Sequence, residues 1–121
     1  MCLQLRSKVW VELEGKKVFG DGPWELLHLV DEKGSLRQAA QEMKMSYHQA
    51  WQIINMIETN PGLLLLRRKA GGPGGGGSAL TEEGKLLVKE YHQFRYEANS
   101  KLEELFLLYV RSLREMTPGN Q

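Results

Sequence analysis

Hydrophobic and polar residues alternate at the start of the chain and then change period. Leu3, Leu5, Val9, Val11 and Leu13 occupy odd positions, and Gln4, Arg6, Lys8, Glu12 and Glu14 occupy even ones. A period of two predicts a half-buried strand; Ser7 interrupts its apolar face and Trp10 its polar one. Gly15-Lys16 signals a turn, after which Lys17-Val18-Phe19 is read as a short second strand pairing back. Such a hairpin is marginal alone and must pack on something, a partner subunit being one candidate. Gly20-Asp21-Gly22-Pro23 ends it and opens a helix, with an acid and a proline in the first turn. The spacing then becomes helical. Trp24, Leu26, Leu27, Leu29 and Val30 predict a helix over 23–33, stopped by Gly34. Leu36, Ala39, Ala40 and Met43 predict a second over 35–44, and Ala50, Ile53, Ile54 and Ile57 a third over 46–59.

The second and third of these helices organise the rest. Ser35 and Ser46 are N-caps, whose hydroxyls accept from unpaired N–H groups of the first turn. The adjacent alanines let another helix cross closely, and Lys44-Met45 makes the turn. The third helix carries Tyr47, His48, Trp51, Gln52 and Asn55 opposite its apolar stripe. That face is aromatic, polar and free of acid. A helix with a buried face followed by one rich in donors and acceptors is the layout of a helix-turn-helix, whose second helix enters the major groove of DNA. The plainer alternative is a helical hairpin with Trp51 and Tyr47 buried in a core.

Asn60-Pro61-Gly62 breaks the third helix. Leu63–Leu66 is an apolar run of strand length, followed by Arg67-Arg68-Lys69, the tract AGGPGGGGS and Ala79-Leu80. We read a β-hairpin wing with the glycine tract, Gly74 and Gly75 included, at its tip. Glycine brings backbone N–H groups close to a phosphate, and the basic run neutralises backbone charge. A solvated loop without a partner is the alternative. Thr81 caps a last helix, with Glu82 and Glu83 at the positive end of its dipole. Leu87, Tyr91, Phe94, Ala98, Leu102, Leu105, Tyr109 and Leu113 stripe this helix to about Arg114. At 1.5 Å per residue it is roughly 50 Å long, more than a small domain can cover, which predicts burial against a second copy. Residues 117–121 are expected to fray. The expected fold is mainly α (α+β), a single winged helix-turn-helix domain over 1–121. Within it, 1–20 is the N-terminal β-hairpin, 23–60 the three-helix core, 63–80 the wing and 81–114 a long C-terminal dimerisation helix.

Composition is that of an ordinary globular protein, and a net charge of +1 says little. Its distribution says more. From Gly34 to Leu80, Arg37, Lys44, Arg67, Arg68 and Lys69 oppose only Glu42 and Glu58, while the segments on either side are each slightly acidic. Cys2 is the one cysteine, so no internal disulfide forms and a cysteine-based metal site is implausible. His28, His48 and His92 lack metal-ligand spacing; His28 reads as structural and His92 as solvated. The glycine tract is neither a P-loop nor a dinucleotide fingerprint. No nucleophile–base arrangement stands out. We expect no enzyme activity, metal or cofactor, no membrane span and a cytoplasmic setting.

SLRQAAQEMKMSYHQAWQIIN followed by LLLLRRKAGGPGGGGSALTEEGKLLVKEY resembles the N-terminal DNA-binding domain of the bacterial molybdate-dependent transcriptional regulator (ModE) family. Ser46-Tyr47-x-x-Ala50-Trp51 and the glycine wing carry the likeness, and the wider relation is to the LysR-type winged helix-turn-helix. The resemblance implies a homodimer whose recognition helices and wings read a palindromic operator. It also implies control of molybdenum-related genes. Members of the family usually continue into a molybdate-binding domain. A chain stopping at Gln121 is expected to lack it, and to give no heat with molybdate.

From the residues themselves, Tyr47, His48, Gln52 and Asn55 are expected at base edges, Gln and Asn suiting adenine. Trp51 packs on a thymine methyl or sugar, or sits partly in the core. Arg37, Lys44 and Ser46 are expected on phosphates near the helix ends. Arg67, Arg68, Lys69 and the glycine tip are expected on the minor groove or backbone. A rival reading makes the fold a protein-interaction module presenting Trp51 and Tyr47.

Overall fold

The computed structural model describes residues 2–59, 62–68 and 77–116. Strands β1 (Trp10–Leu13) and β2 (Lys16–Gly20) form an antiparallel hairpin. Its two-residue turn is Glu14-Gly15, both at positive φ (51° and 81°), which matches the twist of the strands it joins. Helices α1 (Asp21–Lys33), α2 (Leu36–Glu42) and α3 (Tyr47–Thr59) follow. Strands β3 (Leu66–Arg68) and β4 (Ser78–Leu80) pair antiparallel, and α4 (Glu82–Met116) ends the described chain. The architecture is a winged helix, mainly helical, with an N-terminal hairpin and a long C-terminal helix.

The core lies where the helical stripes converge. Leu26, Leu27 and Val30 of α1, Ala39 and Ala40 of α2, Ala50 of α3 and Leu65 are at most 1% exposed. Phe19, Leu36, Ile54, Ile57, Leu80 and Tyr91 close the cluster. Gly34 ends α1 as the pattern predicts: at φ 70° it turns left-handed and its N–H returns to the Val30 carbonyl.

The N-terminal strand is shorter than its alternation predicts. Only 10–13 is paired, and Leu3, Leu5, Val11 and Leu13 remain 41–46% exposed. Alternation marks a face that is able to pack, and one copy of the chain supplies no layer to cover it. Residues 2–9 instead run beside α4. Arg95 donates to the Ser7 carbonyl (3.4 Å) and hydroxyl (3.2 Å), and Tyr91 donates to the Val9 carbonyl (3.3 Å). Leu3 reaches a groove shared with Phe106, Leu107 and Val110. Asp21 ties the arrangement together, accepting from the Tyr91 hydroxyl at 2.6 Å and pairing with Arg95 Nε at 3.0 Å. Burial, then the Asp21 carboxylate, push the Tyr91 phenol up, so it stays a protonated donor.

Two residues expected on an outer dimer stripe therefore face their own chain. Tyr91 is 7% exposed and meets Phe19 edge to face at 5.0 Å, and Leu87 packs against the same cluster. The histidines take the structural and solvent-facing places expected of them, with one shared contact on Trp24. His28 is partly exposed, stacked on Trp24 (5.1 Å) and paired with Glu32 at 2.9 Å; His92 is exposed but stacks on Trp24 as well (5.7 Å).

The join between wing and α4 is tight. Thr81 donates its hydroxyl to the Leu64 carbonyl (2.6 Å) and accepts from Gly84 N–H (3.0 Å), so the predicted cap also anchors the wing. A Cβ on Gly84 would lie 2.6 Å from the Leu65 carbonyl oxygen. Alanine would gain roughly 1 kcal/mol of helix propensity. Overpacking against backbone costs typically 1–3 kcal/mol and wins. Gly84→Ala is thus expected to lower stability by up to about 2 kcal/mol in urea unfolding; a stabilised variant would show that this joint has slack.

Candidate nucleic-acid interface

The two middle helices are placed by their caps. Ser35 Oγ accepts from Gln38 N–H (3.2 Å) and Ser46 Oγ from Gln49 N–H (3.1 Å). Gln49 Oε1 accepts in turn from Ser46 N–H at 3.0 Å, completing a capping box. The Ser-x-x-Gln spacing signals that box, of which the serine cap alone is only half. Between the helices Lys44 adopts φ 57°, the left-handed step of the tight turn. Small residues allow the close crossing, since Ala39, Ala40 and Ala50 are all buried.

With Ala50, Ile54 and Ile57 turned inward, α3 presents His48, Trp51, Gln52 and Asn55 outward. Their spacing, i to i+3, i+4 and i+7, puts them on one side of the helix. None of their side chains makes a hydrogen bond among the described residues. Trp51 is 39% exposed, which removes the reading in which it is buried in a hairpin core. Tyr47 departs from the expected arrangement. It leans against the core, half-buried, with the Arg37 guanidinium 4.5 Å above its ring. At 100° per residue it falls on the side of Ala50 and Ile54, one flank away from His48. Sequence reasoning also passed over Met56, 51% exposed beside Asn55.

Charge is arranged along the edges of this face. Of the two acids in the basic stretch, Glu42 pairs with Lys33 (3.5 Å) and Glu58 accepts backbone N–H groups. Lys44, Arg67 and Arg68 form no ion pair among the described residues. The field over the helix-turn-helix is therefore positive beyond what the net charge suggests. In the wing, Leu65 goes to the core and the ladder begins at Leu66, so the paired strand is displaced from the predicted Leu63–Leu66. Arg67 opposite Ala79 and Arg68 opposite Ser78 are both exposed, on alternate faces of the ribbon. Lys69, Gly74, Gly75 and most of the glycine tip lie outside the described residues.

Residues 24–85, just over half of the chain, match the bacterial regulatory helix-turn-helix proteins of the LysR family, and the chain belongs to that family. It is a DNA-binding transcriptional regulator. Among solved structures it is similar to the DNA-binding domain of CbnR in complex with DNA, at 18% identity and a TM-score of 0.60. That match covers 73% of this chain and 95% of the other. It is also similar to ArgP from Mycobacterium tuberculosis, at 26% identity and a TM-score of 0.53, over 70% of this chain. This chain spans only 30% of that ArgP chain. No curated protein matches it in sequence. The matched span runs from α1 to the first turn of α4, so it encloses both the outward face of α3 and the wing. Among the described residues no helix is long and apolar enough to cross a membrane.

Proposed function

We propose that the chain acts as one winged helix-turn-helix unit that reads a palindromic operator as a homodimer. His48, Gln52 and Asn55 meet base edges, with Trp51 alongside. Arg37, Lys44 and Ser46 hold phosphates near the helix ends, and Arg67, Arg68, Lys69 and the glycine tip reach the adjacent backbone. The observation that carries this is the outward row on α3: hydrogen-bonding side chains without partners among the described residues, next to a rim whose acids are both engaged. Ser46 keeps its hydroxyl proton for a phosphate, because the cap uses only the oxygen. Tyr47 contributes through the placement of Arg37. The likeness of Ser46-Tyr47-x-x-Ala50-Trp51 and the glycine tract to molybdate-dependent regulators supports molybdenum-related genes as its targets.

Selecting bound duplexes from a random pool tests the proposal. A two-fold symmetric motif with half-sites about 34–36 Å apart, or a multiple, is expected. Recovery of unrelated sequences would reject it. Exposure of Trp51 and Met56, at the two flanks of the outward side of α3, favours a second reading, a surface for another protein. Salt separates the two: phosphate contacts make affinity fall steeply with salt, and an apolar protein contact does not. Replacing both Arg67 and Arg68 with alanine is expected to weaken all DNA sequences alike. The salt slope should flatten by about one unit for each phosphate that is no longer neutralised. An unchanged slope would take the wing off the backbone.

A further inference from the structure

Glu58 is an acid at the end of the DNA-reading helix, where a free carboxylate would repel phosphate. Its carboxylate is turned to the wing instead. One oxygen, Oε2, accepts from Leu65 N–H at 2.9 Å and Leu66 N–H at 3.2 Å. The same short piece of backbone is gripped from the other side. The Leu64 carbonyl accepts from the Thr81 hydroxyl (2.6 Å), and the Leu65 carbonyl from Thr81 N–H (2.9 Å). Leu64–Leu66 is thus clamped between the end of α3 and the start of α4. Leu66 is also the first residue of β3, and Arg67 and Arg68 are the next two.

We propose that Glu58 is a positioning residue for DNA binding. It sets the height and angle of β3, and so of the two arginines, relative to the outward face of α3, without itself touching DNA. The length of glutamate brings one oxygen to both N–H groups, and aspartate is one methylene shorter, so reach and charge make separate, opposite predictions. This inference rests on the reading of the wing as a phosphate contact.

Three variants divide the possibilities. Glu58→Gln keeps the reach and an accepting oxygen but loses the charge. Glu58→Asp keeps the charge and loses the reach. Glu58→Ala loses both. If Glu58 positions the wing, Gln binds operator at least as well as the parent, while Ala and Asp bind more weakly, Asp the most. The weakening should be on the order of tenfold near 0.2 M salt, with a salt slope flattened as in the Arg67/Arg68 double variant. If Glu58 acts by charge alone, Gln and Ala bind tighter and Asp matches the parent, which overturns the proposal. Should the alanine variant fail to fold, the Gln and Asp pair still decides. Should the arginine double variant leave the slope unchanged, the wing reading has failed separately. The tether is then read from amide hydrogen exchange. Protection of the Leu65 and Leu66 N–H groups lost in Asp and kept in Gln supports it, and equal protection in both overturns it.

Discussion

Replacing Leu105 with glutamate is expected to give a monomer that folds normally and binds a palindromic operator 10²–10⁴-fold more weakly. Leu105 is 62% exposed in the single chain, so the change touches nothing in the core and should alter monomer stability by no more than about 0.5 kcal/mol. At roughly 52 Å, the 35 residues of α4 run well beyond the helices that cover their start. Past Tyr91 the stripe continues with Phe94, Leu105 and Tyr109 at 50–62% exposure. Phe94 to Leu105, Ala98 to Tyr109 and Leu102 to Leu113 are each eleven residues apart. An eleven-residue repeat holds a stripe along a helix at 3.67 residues per turn, close to the natural period, so two such helices can stay together over a long seam. At a two-fold seam a single substitution buries two carboxylates, which neither the facing leucines nor water can compensate. The weaker binding to DNA follows from geometry, since a monomer engages one half-site and forfeits the effective concentration of the second. Sedimentation equilibrium at micromolar protein, beside gel shifts on whole and half operators, checks both parts. A dimer that survives the substitution would move the seam off the distal half of α4.

The sequence was most informative where one local period decided the outcome. Helices α1 to α3 follow from stripes at 3.6 spacing, serine caps and Gly34, because those signals act within a turn of their source. It was less informative wherever the answer depended on what lies opposite. Leu3 and Leu5 alternate like strand residues, yet among the described residues no strand pairs with them, and alternation carries no information about a partner. Leu63–Leu66 looked like ladder because it is apolar. Leu65 is apolar because it is 0% exposed in the core, and the ladder begins with Leu66 and the arginines. On α4 the period predicted a stripe but not that Leu87 and Tyr91 spend it on their own chain. In the site, the outward side chains of α3 were legible from the helical wheel, whereas Tyr47 was misplaced by one flank. The polar ties were invisible. Asp21 and Tyr91 lie 70 residues apart, and Glu58 entered the sequence reading only as one of two acids in a basic stretch, with nothing local to name its backbone partners.

Asn55→Ala should cost about 1–3 kcal/mol on the cognate operator, five-fold to more than a hundred-fold in affinity, and should relax base preference at one position per half-site. Asn55 is exposed on the outward face, and its side-chain amide makes no hydrogen bond among the described residues; its backbone carbonyl accepts from the Thr59 hydroxyl at 2.8 Å. Truncation therefore removes little from the fold, and the effect on DNA is not diluted by unfolding. A carboxamide offers one donor and one acceptor at the spacing of adenine N6 and N7, so its removal leaves a base edge desolvated and unpaired. The contrast with the wing makes the experiment decisive. Removal of Arg67 and Arg68 acts on every duplex and changes the salt slope, because phosphates are alike in all sequences. Removal of the Asn55 amide should act on the cognate site alone and leave the slope where it was. Equal weakening on operator and random DNA would place Asn55 on the backbone, and specificity would then have to come from His48 and Gln52.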